Sequence, residues 1–150
     1  MIEVRDFRSD DLDSCVTLFV QVFSTPPWND HWSTESARDY LQDIVATPGF
    51  HGFVALDRAK MIGMCLGHKK RWWKEDEFFV DEMCVVGERQ RQGLGRQLMA
   101  YAKQKLGDIG VNRITLLTAK GTPAGAFYQK QGFVGLNHLV FMIYDGGREE

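Results

Sequence analysis

The chain has 150 residues, 44% hydrophobic and 12% aromatic, which is the length of one domain with enough apolar material for a core and excludes a disordered segment. Eighteen Lys and Arg against 20 Asp and Glu leave a net charge of −2, which excludes a broad nucleic-acid-binding face but not a local basic patch. The longest apolar stretch, Cys15 to Phe23, is broken by Thr17 and Gln21 and falls short of the ~20 residues that span a bilayer.

In chain order, Ile2, Val4 and Phe7 predict a first strand, and Ser9-Asp10-Asp11 offers helix caps. Leu12, Cys15, Val16, Phe19, Val20 and Phe23 recur at helical spacing until Thr25-Pro26-Pro27 stops the helix. Ser33 can cap a second helix with the stripe Ala37, Tyr40, Leu41, Ile44 and Val45, which Pro48-Gly49 ends. Phe50 to Leu56 and Met61 to Gly67 read as a strand pair about the short connection 57–60. A polar loop, Lys69 to Asp76, carries two tryptophans, and Glu77 to Val86 is a strand. Leu94 to Leu106 is a helix with one apolar face, and Arg113 to Thr118 a β-branched strand. Thr122-Pro123 starts a short helix bearing Ala124, Phe127 and Tyr128, with Gly132 at its end. Short strands at Phe133-Val134 and Leu139 to Tyr144 are expected to close the chain, before a frayed end at 146–150. Helices and strands mix throughout, so a central mixed sheet with helices on both faces is the expected α/β packing. No repeat or linker divides residues 1–150, which are expected to form a single domain.

Cys15, Cys65 and Cys84 are odd in number and lack CxxC spacing, which points to buried thiols in a reducing compartment. The N-terminus lacks a signal peptide's basic start and apolar run, so a cytoplasmic location is expected. The four histidines are scattered without an HExxH pattern, and no metal is expected.

Chemistry concentrates where the strand ending at Val86 turns into the helix starting at Leu94. Gly93 and Gly95 let backbone N–H groups approach a ligand, and a helix N-terminus presents unpaired donors with about +0.5 charge. Arg89, Arg91 and Arg96 add positive charge, with no acid between 89 and 96. That combination suits a pyrophosphate. The turn does not match GxxxxGK[ST], and Gly93-Leu94-Gly95 is followed by Leu98 where a dinucleotide fingerprint has glycine.

Gln90-Arg91-Gln92-Gly93-Leu94-Gly95, with Val85 five residues before it, resembles the Q/R-x-x-G-x-G/A signature of the GNAT acetyltransferase superfamily. Ala124-Gly125-Ala126-Phe127-Tyr128-Gln129-Lys130-Gln131-Gly132-Phe133 resembles that family's next block, at the family's spacing. The resemblance implies a GNAT fold whose splayed parallel strands hold coenzyme A, and transfer of acetyl from acetyl-CoA to an amine. It implies that Arg91, Gln92, Gly93, Leu94, Gly95 and Arg96 grip the pyrophosphate, and that Met83 and Val85 pair main chain to the pantetheine arm. Gly87 stands where a proline is frequent, and Gly121 where many members have an asparagine that helps hold the coenzyme, so Gly121 is assigned no role.

An amine acceptor must lose a proton before it attacks, and a carboxylate can take it. Asp81 and Glu82 are adjacent on the strand before the turn, and strand alternation predicts that only one faces the cleft unless a β-bulge shifts the parity. Related polyamine acetyltransferases have a carboxylate at the position of Asp81, which ranks Asp81 first. The resemblance makes Tyr128 the general acid for the coenzyme A thiolate; the plainer reading is an aromatic ring packed beside Phe127.

Five acids among residues 75–82, with no base between them, together with Trp28, Trp32, Trp72 and Trp73, suit a polycationic or amino-sugar acceptor. The plainer reading is a solvated acidic loop and core tryptophans. Pro26-Pro27-Trp28-Asn29-Asp30-His31-Trp32 resembles the same region of aminoglycoside 6′-N-acetyltransferase-like members, which adds Asp30 to the acceptor-side candidates. The leading expectation is direct transfer, in a ternary complex, to a primary amine of a small cationic molecule. A protein or peptide acetyltransferase and a non-catalytic acyl-CoA sensor remain the alternatives. A homodimer is compatible with the family, though no residue pattern requires it.

Overall fold

The computed structural model describes residues 1–90 and 92–147. Arg91, expected at the pyrophosphate, and residues 148–150 of the expected frayed end lie outside the described residues. Residues Met1–Leu117 make one compact unit and Thr118–Glu150 a second.

The first unit is built on a five-stranded sheet in the order β1 (Ile2–Asp6), β2 (Phe50–Asp57), β3 (Lys60–Lys70), β4 (Glu77–Val85), β5 (Arg113–Thr115). The first four strands pair antiparallel, and β4 and β5 run parallel. Two helices, α1 (Leu12–Phe23) and α2 (Thr34–Val45), precede β2, and α3 (Leu94–Asp108) connects β4 to β5. The Ser33 side chain caps α2 by accepting from Ser36 N–H at 2.9 Å.

Each sheet face has its own core. Cys15, Phe19, Leu41 and Ile44 of α1 and α2 pack with Val54, Met64, Leu66 and Cys84 of the sheet. Leu98, Ala102 and Leu106 of α3 pack with Phe53, Cys65, Phe78 and Val80. Helices on both faces of a mixed sheet are therefore observed, as the alternating pattern predicts. Asp11 is the one charged residue buried among those described. It accepts from both arms of the Arg5 guanidinium, at 2.8 and 2.9 Å, and from Arg8 N–H at 2.7 Å. These hydrogen bonds, the Arg5 pair foremost, hold its carboxyl below the usual range against the opposing effect of burial.

Strand β4 changes face in mid-course. Gly67 lies opposite Val80 and Leu66 opposite Glu82, so Asp81 is an extra residue with no counterpart on β3. A bulge of this kind reverses the alternation. Phe78 and Val80 accordingly pack on the α3 side, whereas Cys84, of the same parity, packs on the α1–α2 side.

The second unit holds α4 (Pro123–Lys130), whose N-cap Thr122 accepts from Gly125 N–H at 3.1 Å. Two sequence expectations need correction. Strand β5 ends at Thr115 rather than Thr118. Residues 133–134 and 139–144 form no strand among the described residues, and Leu139 to Tyr144 are exposed. An apolar run gains strand character from a partner on the ladder, and no ladder pairing is described for Leu139 to Tyr144.

Candidate active site

The bulge brings both sequence-predicted acids to one face. Glu82, just beyond it, is on the α1–α2 side, where Tyr40 of α2 donates its phenolic O–H to Glu82 Oε1 at 2.6 Å. Asp81 follows Phe79 in the unreversed alternation and is on the same side, with Oδ2 2.8 Å from His68 Nδ1. The exception allowed for in the sequence applies: the bulge shifts the parity, and both carboxylates are on the α1–α2 side.

Burial pushes the Glu82 carboxyl above its ordinary value; the Tyr40 hydrogen bond opposes the shift, and the charges of Asp81 and Asp30 reinforce it. Burial likewise raises the Tyr40 phenol, and its bond to Glu82 adds to that, so Tyr40 keeps its proton and serves as a donor.

An aromatic wall adjoins these acids. Trp32 stacks on Tyr40 with ring centroids 5.2 Å apart and an interplanar angle of 30°. Phe19 of α1 meets Trp32 edge-on at 5.1 Å, and Trp28 meets Phe23 edge-on at 5.0 Å. Trp28 stays 41% exposed, so it offers a ring surface to a ligand. Trp72 and Trp73 are 63% and 80% exposed in the β3–β4 loop, with Lys74 Nζ over the Trp73 ring at 5.8 Å. No described contact joins either one to Asp81 or Glu82.

Beyond the bulge, β4 has an open edge. Strand β5 pairs only with Glu77, Phe78 and Phe79. Val86 N–H bonds back to Ile62 O at 2.9 Å. Antiparallel alternation then turns the N–H and C=O of Met83 and Val85 away from β3, toward that edge. The Gln90 side-chain amide donates to Val85 O at 3.1 Å.

The edge leads to the start of α3. Gly93 is the N-cap, in the left-handed region at φ 79°, and no acid occupies the first turn. The first-turn N–H groups of Leu94, Gly95 and Arg96 have no partner within the helix. A Cβ on Gly93 would approach Arg96 Nη2 at 3.6 Å, so that guanidinium lies beside the cap. Gln92 is turned back, its amide donating to Glu88 O at 3.2 Å. Arg89 pairs with Asp57 at the β2–β3 turn, which draws it away from a phosphate role. A cavity of about 520 Å³ lined by Asp57, Arg58 and Arg89 among others opens beside that pair and includes neither candidate acid.

In the second unit, Tyr128 is half-buried, its ring edge-on to Phe127 at 5.2 Å and to Phe133 at 5.6 Å. The three thiols are free and buried. Burial pushes Cys15 and Cys65 up to about 12 and Cys84 well above its ordinary value, so none is a ready nucleophile.

Two participants escape the sequence reading. Tyr40 falls on the apolar stripe of α2, and His68 is placed past a strand expected to end at Gly67. Only strand register across the bulge brings them to the acids, and spacing within the chain carries no signal of it.

The chain matches the family model described as acetyltransferase (GNAT) family over residues 14–133. No curated protein matches it. Among solved structures it is similar to the aminoglycoside acetyltransferase meta-AAC0020 from an uncultured soil metagenomic sample: 21% identity, 96% of this chain and 95% of that chain covered, TM-score 0.75. It is similar to AAC(6')-Iy in complex with the bisubstrate analog CoA-S-monomethyl-acetylneamine: 16% identity, 97% and 99% coverage, TM-score 0.75. An integron cassette protein from the mobile metagenome of V. cholerae gives 16% identity, 97% and 93% coverage, and TM-score 0.81. At these identities the likeness is one of fold.

Proposed function

The chain belongs to the acetyltransferase (GNAT) family, and from that premise we propose that it is a single-domain N-acetyltransferase that moves acetyl from acetyl-CoA to a primary amine of a small cationic molecule. The observation that carries the acceptor class is the pair Asp81 and Glu82 on one face of β4, with the Tyr40 hydroxyl bonded to Glu82 and Trp32 stacked on Tyr40; Asp30 adds its charge to the same group. Acids attract a polyammonium ligand, and aromatic faces hold its charged groups by cation–π contact at about 0.5–2 kcal/mol each. Trp28 extends the same wall, while Trp72 and Trp73 would serve only an acceptor long enough to reach their loop.

The donor side fits acetyl-CoA. The edge at Met83 and Val85, which β5 leaves uncovered, accepts an extended amide-bearing arm as an added strand once the Gln90 amide gives up Val85 O, and the first turn of α3, free of acids, suits its pyrophosphate. Gln92, Gly93, Leu94, Gly95, Arg96 and, by the family signature, Arg91 form that grip. A main-chain N–H on the open edge polarises the thioester carbonyl in the manner of an oxyanion hole.

In this reading Asp81 takes the ammonium proton, Glu82 supplies negative charge that holds the acceptor, and the freed amine attacks the thioester carbon. The carbon–sulfur bond breaks and Tyr128 gives its proton to the departing thiolate. Transfer is direct, since the thiols are buried and disfavour the thiolate form.

Thiol release from acetyl-CoA against polyamines, aminoglycosides, amino acids and peptides tests the proposal. Turnover with polyamines or aminoglycosides supports it. Turnover with peptides alone moves the acceptor to a protein. Coenzyme A binding without turnover across the panel makes the chain a sensor.

A further inference from the structure

Asp81 is held by a partner from the neighbouring strand. His68 Nδ1 lies 2.8 Å from Asp81 Oδ2, and the two side chains are 22% and 21% exposed, packed on one side and open to water on the other. The His68 ring also leans on Phe79, centroids 5.9 Å apart, which limits its rotation. The bulge is the origin of the pair: Asp81 has no counterpart on β3, and its carboxylate meets the residue opposite Phe79 instead.

We propose that His68 is the positioning residue of Asp81 and carries onward to solvent the proton that Asp81 receives. This rests on the reading of Asp81 as the base. Oδ2 is committed to His68, which leaves Oδ1 for the acceptor's ammonium. The N–H bond of the ammonium breaks, its electron pair stays on nitrogen for attack, and the proton joins the Asp81 carboxylate. In the tautomer whose Nδ1 is unprotonated, the imidazole takes that proton from Asp81. The imidazolium releases its Nε2 proton to water, Asp81 returns to a carboxylate, and water-assisted exchange of the ring proton from Nδ1 to Nε2 restores the starting tautomer before the next turnover. Charge and protons balance with water as the one other reactant, which receives the proton that the ammonium lost. Glu82 offers no equivalent route, because its partner, the Tyr40 hydroxyl, leads into the aromatic packing of α1 and α2.

Two measurements on the full chain test this. Imidazole ¹⁵N NMR needs no acceptor. The His68 nitrogens are expected to report a ring bonded to a carboxylate and to shift by several ppm in Asp81→Asn; unmoved resonances overturn the pairing. Kinetics follow with spermidine and kanamycin as the probe amines. His68→Gln, which keeps a hydrogen-bonding amide but cannot relay a proton, is expected to lower kcat about 10-fold or more, with both KM values within about twofold of the parent. Added imidazole is expected to restore part of the kcat of His68→Ala, which a purely structural role does not explain. Wild-type kcat in a folded His68→Gln, with Asp81→Asn inactive, removes the role of His68 and leaves Asp81 as base. Full activity in Asp81→Asn removes the base itself.

Discussion

At the level of single side chains, the site depends on groups whose surroundings oppose their ordinary behaviour. Glu82 is raised chiefly by burial, so between its unfolded and folded values the native state binds the extra proton and stability falls as pH rises. Glu82→Gln removes that loss and keeps an acceptor for the Tyr40 hydroxyl. It is expected to raise Tm at pH 7, by about 2–4 °C for each kcal/mol recovered, and to weaken acceptor binding; a lowered Tm in calorimetry would show that the charge is stabilising. Asp11 has the opposite sign. Its depressed carboxyl contributes stability above the ordinary carboxylate range, lost as pH falls through its folded value. Asp11→Asn is expected to cost about 2–3 kcal/mol in urea unfolding at pH 7, less than a fully buried pair because Arg5 keeps some exposure. Tyr128→Phe removes only the hydroxyl, so the proposed acid role requires kcat to fall about 10-fold or more with acetyl-CoA affinity nearly unchanged.

At the level of elements, the bulge in β4 and the turn into α3 do the positioning. Gly67, opposite Val80 at the bulge, has no room for a side chain: a Cβ there would sit 2.2 Å from Phe79 O and 2.6 Å from the Phe78 ring. Gly67→Ala is expected to cost about 1–3 kcal/mol by overpacking and to lower activity through Asp81 and Glu82. Unchanged kinetics in a destabilised variant would separate the bulge from the chemistry. Gly93→Ala strains a left-handed cap by about 1–2 kcal/mol and is expected to raise the KM for acetyl-CoA more than that for the amine. The Gly93 turn was legible from sequence because its chemistry is local: glycines, a helix start and a missing acid lie within a few residues. So were α1 and α2, from their stripes and caps. The acid pair was legible only as two residues, since their common orientation follows from the register of β4 against β3. Leu139 to Tyr144 misled for a related reason: β propensity describes what a segment accepts, while a ladder partner decides what it becomes.

At the level of the whole molecule, near-neutral charge averages two regions of opposite character: acids at the face of β4 and a donor-rich turn at α3. The family match, residues 14–133, takes in most of the first compact unit and α4 of the second. No helix among the described residues is long and apolar enough to cross a membrane. Six consecutive apolar residues, Leu139 to Tyr144, stand exposed near the end of the chain, a recipe for self-association. Light scattering is expected to show concentration-dependent growth that Phe141→Lys reduces without altering Tm. The extra residue at Asp81 also acts on the chain as a shift of reading frame. Deleting Asp81 would leave Val80 opposite Gly67 and Glu82 opposite Leu66, so pairing would run unbroken and every side chain from Glu82 to Val85 would keep its present face. Cys84 would stay opposite Met64 in the α1–α2 core, and Met83 opposite Cys65 on the α3 side. The sheet itself can therefore spare this residue, and what its loss would remove is a carboxylate and its meeting with His68.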